Sequence, residues 1–171
     1  MAQLQPEINF LGLEIREPLV REANQWRDEH KLTNLHYLFI NINNSLEVLL
    51  KSLPANCLHL VMIQFPDPWF KKKHFKRRVV QPELVDTLAN YLVGGGRVFL
   101  QSDVREVAEQ MHDRFLSHAH FQSLPSEAWL DENPLPVATE REIATINKGQ
   151  PVYRVMLVKT LCTGQKIERG G

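Results

Sequence analysis

Asp67 sits between Pro66 and Pro68, with Trp69 behind it and six cations, Lys71, Lys72, Lys73, Lys76, Arg77 and Arg78, in the eight residues that begin at Lys71. Each proline fixes its own φ, so a carboxylate held between two of them is presented stiffly. A rigid acid beside a dense cationic run suits a reaction on a polyanion, because the cations draw in and hold the anion while the acid acts on it. His74 and Phe75 interleave the run. The chain carries 20 Lys and Arg against 20 Asp and Glu, and taking those six away leaves 14 basic residues against 20 acidic, so the positive charge is local. A solvated basic loop or a localisation signal has the same composition. The adjoining Pro-Asp-Pro-Trp is what separates this run from those.

Three more polar groups stand where chemistry is expected. Glu14, Asn41 and Asp67 end consecutive predicted strands, and Asp103 follows the fourth. In a doubly wound sheet those ends open onto one crevice, and an ionised carboxylate there, being acceptor-only, takes ribose hydroxyls. Asp and Asn are also ordinary turn and cap residues, so one alone says little; four in register say more.

The elements that must position these groups alternate. Ile8 to Leu13 reads as a strand, and Pro18 suits the first turn of a helix reaching His30, with Leu19, Ala23 and Trp26 as its core-facing stripe. Leu35 to Ile40 is a second strand, and Asn44 or Ser45 caps a helix from Leu46 to Leu53. Leu58 to Gln64 is apolar almost throughout, as expected of a parallel strand covered on both faces. Pro82 opens a helix that Gly94, Gly95 and Gly96 stop, a turn rather than a phosphate loop, and Arg97 to Gln101 is the fourth strand. Ser102 and Asp103 begin a helix bearing Val104, Val107, Ala108, Met111 and Phe115. His120 to Leu124 reads as a short strand, Leu124 to Ala138 as loop, Glu140 to Lys148 as helix and Val152 to Lys159 as the last strand. The alternation predicts an α/β fold with a parallel sheet and helices on both faces.

At 171 residues and 43% hydrophobic content, one domain over residues 1–160 is expected, with a mobile tail over 161–171. No apolar run reaches membrane length and the start is polar, so no membrane association is expected and a cytoplasmic location is. Cys57 and Cys162 have no zinc-like spacing and His118 with His120 is the only close histidine pair, so no metal is expected.

The chain resembles the bacterial tRNA (guanine-N7)-methyltransferases, which methylate guanine 46 of the variable loop with S-adenosylmethionine. FPDPWFKKKHFKRR, Phe65 to Arg78, is the most specific segment; FLGLEIRE (Phe10 to Glu17), GGGRVFLQSD (Gly94 to Asp103) and TEREIATINKGQPVYR (Thr139 to Arg154) match further family segments in order. The resemblance implies a Rossmann-like methyltransferase with tRNA as partner. It makes Glu14 the acid on the cofactor ribose, Asn41 a group near the adenine, and Asp67 the catalytic and cofactor-adjacent acid. Lys71, Asp103, Thr139, Glu140, Arg141 and Glu142 become substrate contacts, and Lys73, His74, Phe75, Lys76, Arg77 and Arg78 the RNA-binding run. Arg141 stands where the family usually has an aromatic residue.

Family members carry a strand and a glycine-rich loop ahead of the FLGLE strand, and only MAQLQPE precedes it here. The resemblance places that strand between the Ile8 and Leu58 strands, so each of these is expected to keep one unpaired edge, and weak or no cofactor binding is expected of this chain. Three readings remain: the enzyme, a catalytically impaired or inactive tRNA-binding fragment of its family, and a nicotinamide-dependent oxidoreductase. The last explains Glu14 but not PDPW beside a basic run.

Overall fold

The structure is a computed structural model that describes residues 1–124 and 129–161. The expected tail falls outside the described residues except for Leu161, as do Cys162 and residues 125–128 of the expected loop. The chain divides into two compact units, Met1–Ser52 with Pro134–Ala138, and Leu53–Asn133 with the residues from Thr139 onward.

The first unit is a strand-helix-strand-helix repeat: β1 (Phe10–Glu14), α1 (Glu17–Glu29), β2 (Leu35–Phe39) and α2 (Ile42–Lys51). β1 and β2 are parallel and in register from Phe10 opposite Leu35 to Glu14 opposite Phe39. Gly12 permits that pairing, since a Cβ there would lie 2.3 Å from the Tyr37 ring. Pro18 stands in the first turn of α1, as expected. The stripe differs: Val20, Ala23, Asn24 and Arg27 face inward, whereas Leu19 and Trp26 are exposed, Trp26 stacking on His30. Asn24 accounts for the change. Its amide donates to Tyr37 O at 2.9 Å and accepts from Tyr37 N at 3.0 Å, the two bonds a neighbouring strand would make, so α1 turns this polar residue toward β2. α2 starts earlier than expected because Asn41, not Asn44 or Ser45, is its N-cap.

The second unit holds β3 (Leu58–Gln64), a short 3-10 helix (Lys72–Arg77), α3 (Pro82–Tyr91), β4 (Leu92–Ser102), α4 (Arg105–Leu116), β5 (Phe121–Ser123), α5 (Glu140–Asn147) and β6 (Tyr153–Lys159). Its sheet runs β3-β4-β6-β5. β3 and β4 are parallel, but β6 is antiparallel to both β4 and β5, so the sheet is mixed rather than all-parallel. The alternation that signals parallel pairing ends at β4; β5 and β6 are antiparallel neighbours. The three glycines lie inside β4, where the pairing jumps from Leu58 opposite Leu92 to Leu60 opposite Arg97, and Gly95 takes φ +77. They form a bulge, not a helix stop.

The core is centred on β4 and β6. Val98, Phe99 and Leu100 are buried, as are Val155 and Leu157, and Phe115 of α4 meets Phe121 edge-on at 5.0 Å. β3 is half-buried rather than fully covered, and it pairs with β4 alone, as β1 pairs with β2 alone among the described residues.

One polar cluster sits inside this apolar centre. Arg154 of β6 donates to Glu142 Oε1 at 2.7 Å through Nη2 and to Gln101 Oε1 at 2.9 Å through Nε. Glu142 Oε2 accepts from Gln101 at 3.2 Å and Asn133 at 2.6 Å. Glu142 is 1% exposed and Arg154 5%. Glu142, expected to contact substrate, is instead turned inward with both oxygens engaged, tying α5 to β4 and β6. Arg154→Met should cost about 3–5 kcal/mol in urea denaturation by leaving a buried carboxylate unpaired. Adding Glu142→Leu should recover much of that, and a single-variant loss under about 1 kcal/mol would show the pair to be unimportant.

Candidate active site

Glu14 closes β1 with its carboxylate folded onto the next two residues. Oε1 accepts from Ile15 N at 2.8 Å and Arg16 N at 2.9 Å, and from Arg16 Nε at 3.1 Å; Oε2 accepts from Arg16 Nη2 at 3.1 Å. The Arg16 side-chain bonds, against partial burial, hold the Glu14 pKa below the ordinary carboxylate value. Arg16 is largely exposed, so its pair with Glu14 yields to a ligand at little cost. Ile40 N donates to Glu14 O at 3.0 Å, which brings the end of β2 alongside. One residue on, Asn41 Oδ1 caps α2 by accepting from Asn43 N at 3.2 Å, which leaves its amide N–H group as the donor. An ionised acceptor and an amide donor at the C-terminal ends of two paired parallel strands fit the ribose and adenine of a nucleoside.

Asp67 follows β3 in a turn with unusual backbone. Phe65 has φ +49 and Trp69 φ +43, and neither is glycine. The left-handed region costs such residues about 1–2 kcal/mol each. Phe65 N donates to Gln101 O at 2.7 Å. Asp67 is exposed and bonds to none of the described residues. The basic run then coils into the 3-10 helix, with Lys71, Lys72, Lys73, Lys76 and Arg77 exposed and His74 and Phe75 half-buried. The Arg77 guanidinium lies 5.1 Å from the Trp69 ring centre, and His74 meets that ring edge-on at 5.6 Å. Phe70, not singled out by sequence, is 68% exposed beside these cations.

Arg78 departs from the expected outward run. It is 3% exposed, and its guanidinium donates to Pro68 O at 2.7 Å, Gln110 Oε1 at 2.9 Å and Glu106 Oε1 at 3.0 Å. A side chain so enclosed does not present its charge to an RNA phosphate.

The remaining expected contacts divide in the same way. Asp103, beyond the end of β4, forms an ion pair with Arg141. Thr139 caps α5 by accepting from Glu142 N at 3.1 Å. Glu140 and Arg141 point outward, Glu142 inward. Gln101 and Arg154 carried a signal that sequence reasoning passed over: each is a polar residue inside an otherwise apolar strand, RVFLQ and VYRVMLVK. Among the described residues no group of His, Cys, Asp and Glu is placed to hold a metal ion, and no helix is long and apolar enough to cross a membrane.

The chain is similar to known proteins in sequence and in fold. Residues 1–155 match a family described as putative methyltransferase. The tRNA (guanine-N(7)-)-methyltransferase of Trichormus variabilis is 64% identical over 156 residues, covering 91% of this chain and 73% of that protein. The protein of the same name from Microcystis aeruginosa is 62% identical, covering 90% and 73%. In fold, the chain is similar to an rRNA methylase from Streptococcus thermophilus, with a TM-score of 0.55 at 12% identity over 90% of this chain and 74% of that one. It is also similar to an N-methyltransferase from Bradyrhizobium japonicum in complex with S-adenosyl-L-homocysteine, with a TM-score of 0.54 at 9% identity over 88% and 66%. These likenesses are of fold alone, and the fold is the α/β class expected from the alternation of elements.

The Glu14 geometry has a pH consequence. Its pKa is lower folded than unfolded, so its contribution to stability is present above the ordinary glutamate value and is lost as pH falls through the folded value. Titration of the Glu14 carboxyl carbon by NMR should give a depressed midpoint that Arg16→Gln raises toward the ordinary value. A midpoint indifferent to Arg16 would remove the arginine as its cause.

Proposed function

We infer the function from one premise: this chain belongs to the tRNA (guanine-N(7)-)-methyltransferase family. It transfers a methyl group from S-adenosylmethionine to N7 of a guanine in tRNA. When bound, S-adenosylmethionine supplies an activated methyl group on a sulfonium. Glu14 accepts the ribose hydroxyls, and Asn41 donates toward the adenine. Residues 1–160 act as one methyltransferase domain, a reading supported by the family match across residues 1–155. The reaction places the protein with the tRNA pool, which we read as cytoplasmic.

The observation that carries the mechanism is the Asp67 carboxylate, unengaged among the described residues, on a strained turn beside exposed cations. Guanine N7 already holds a lone pair, so methyl transfer needs alignment and charge stabilisation rather than proton abstraction. Asp67 accepts hydrogen bonds from the guanine N1 and N2 donors and offsets the positive charge that develops on the purine; as the resemblance implies, it would also help hold the methyl donor. Lys71, Asp103, Glu140 and Arg141 contact the substrate, with Asp103 oriented by Arg141. Thr139 acts through its cap, which fixes the start of α5. Lys73, Lys76 and Arg77, with His74 and Phe75 between them, hold the tRNA backbone in register. The guanine is that at position 46 of the variable loop, a reading supported by the PDPW resemblance.

Asp67→Asn keeps shape and loses the charge, so turnover should fall about 10²–10³-fold while tRNA affinity stays within about twofold. Nuclease digestion and mass spectrometry of the methylated tRNA should place the product at position 46. Undiminished turnover in Asp67→Asn would remove Asp67 from the chemistry, and a product at another guanine would overturn the position.

A further inference from the structure

The Asp67 turn cannot hold itself. Pro66 and Pro68 have no N–H group, so two of its three residues donate nothing, and Phe65 and Trp69 on either side have left-handed φ. Backbone of that kind persists only where the surroundings over-determine it. At its start Phe65 N bonds to Gln101 O of β4. At its far end the Pro68 carbonyl needs an external donor, and Arg78 Nε provides it at 2.7 Å.

Arg78 is in turn held from several sides. Its Nη1 and Nη2 reach Gln110 Oε1 and Glu106 Oε1, one turn apart on α4. The guanidinium lies 3.8 Å from the Phe75 ring centre. Gln81 Nε2 donates to Arg78 O at 2.7 Å and to Phe75 O at 2.9 Å. α4 is itself fixed by buried Val107, Ala108 and Met111. A planar guanidinium can satisfy three acceptors in divergent directions; an ammonium on a flexible stem keeps the charge but not that geometry. The chain of bonds thus runs from the core, through α4 and Arg78, to the peptide between Pro68 and Trp69.

Resting on the methyl-transfer reading above, we propose that Arg78 is a positioning residue for Asp67 and not a tRNA contact. The end of the basic run changes role at this residue: Lys71 to Arg77 serve the polyanion, and Arg78 fixes the acid that acts on its base.

Arg78→Lys separates the two roles, because it preserves the charge of the run while breaking the fork. We expect kcat to fall about 10- to 100-fold through misplacement of Asp67. The Kd for tRNA and its slope against salt should stay unchanged. Amide exchange across residues 65–71, read on the full chain without tRNA, should accelerate. Gln110→Ala, which removes one anchor and leaves Arg78 in place, should shift kcat and exchange in the same direction by less, and it serves if Arg78→Lys does not fold. Wild-type kcat and wild-type exchange in both variants would overturn the proposal. So would a loss confined to tRNA affinity with a shallower salt slope. The exchange measurement needs no turnover, so faster exchange in a protein that methylates nothing would support the clamp while refuting the proposed function.

Discussion

A carboxylate between two prolines is stiff only if something outside it fixes the peptide on either side. In this fold that constraint falls on the Pro68 carbonyl and the guanidinium of Arg78. Without the bond, the turn has left-handed backbone at both ends and few donors of its own to resist relaxation. With it, Asp67 inherits the rigidity of α4 and of the sheet beneath, and its oxygens remain unengaged among the described residues.

Arg78 and Arg154, the buried arginines among the described residues of the second unit, follow one logic. Arg78 joins a loop to α4, and Arg154 joins α5 to β4 and β6 through Glu142 and Gln101. Each places a fixed charge where an apolar residue would pack with less desolvation cost, so neither is a simple source of stability. Each does set the position of a segment bearing candidate substrate contacts: the Asp67 turn in one case, the start of α5 in the other. The outward cations, by contrast, are solvated and free to meet phosphate.

Much of this was legible in the sequence. Period and punctuation indicated the strands and α-helices of the described residues, though not the 3-10 helix in the basic run, because Pro18 and Pro82 are local signals that act through the backbone they belong to. What stayed hidden depends on partners distant in the chain. Arg78 is chemically identical to Arg77 beside it, and only Glu106 and Gln110, about thirty residues away, turn it inward. Leu19 and Trp26 fit a helical stripe as well as Val20 does, and Asn24 bonding to Tyr37 decided which stripe faces β2. Glu142 reads in sequence as one more acid in the first turn of a helix, and only its bonds to Arg154 of β6 turn it inward. The antiparallel β6 could not be read from alternation, since direction is a property of pairing and not of a strand alone.

The most direct test is an NMR spectrum of the arginine Nε–Hε groups, recorded with and without tRNA. A clamped Arg78 should give a slowly exchanging Hε signal that tRNA leaves in place, while the Arg77 signal moves. An Arg78 signal that exchanges like those of exposed arginines and shifts on adding tRNA would contradict the account.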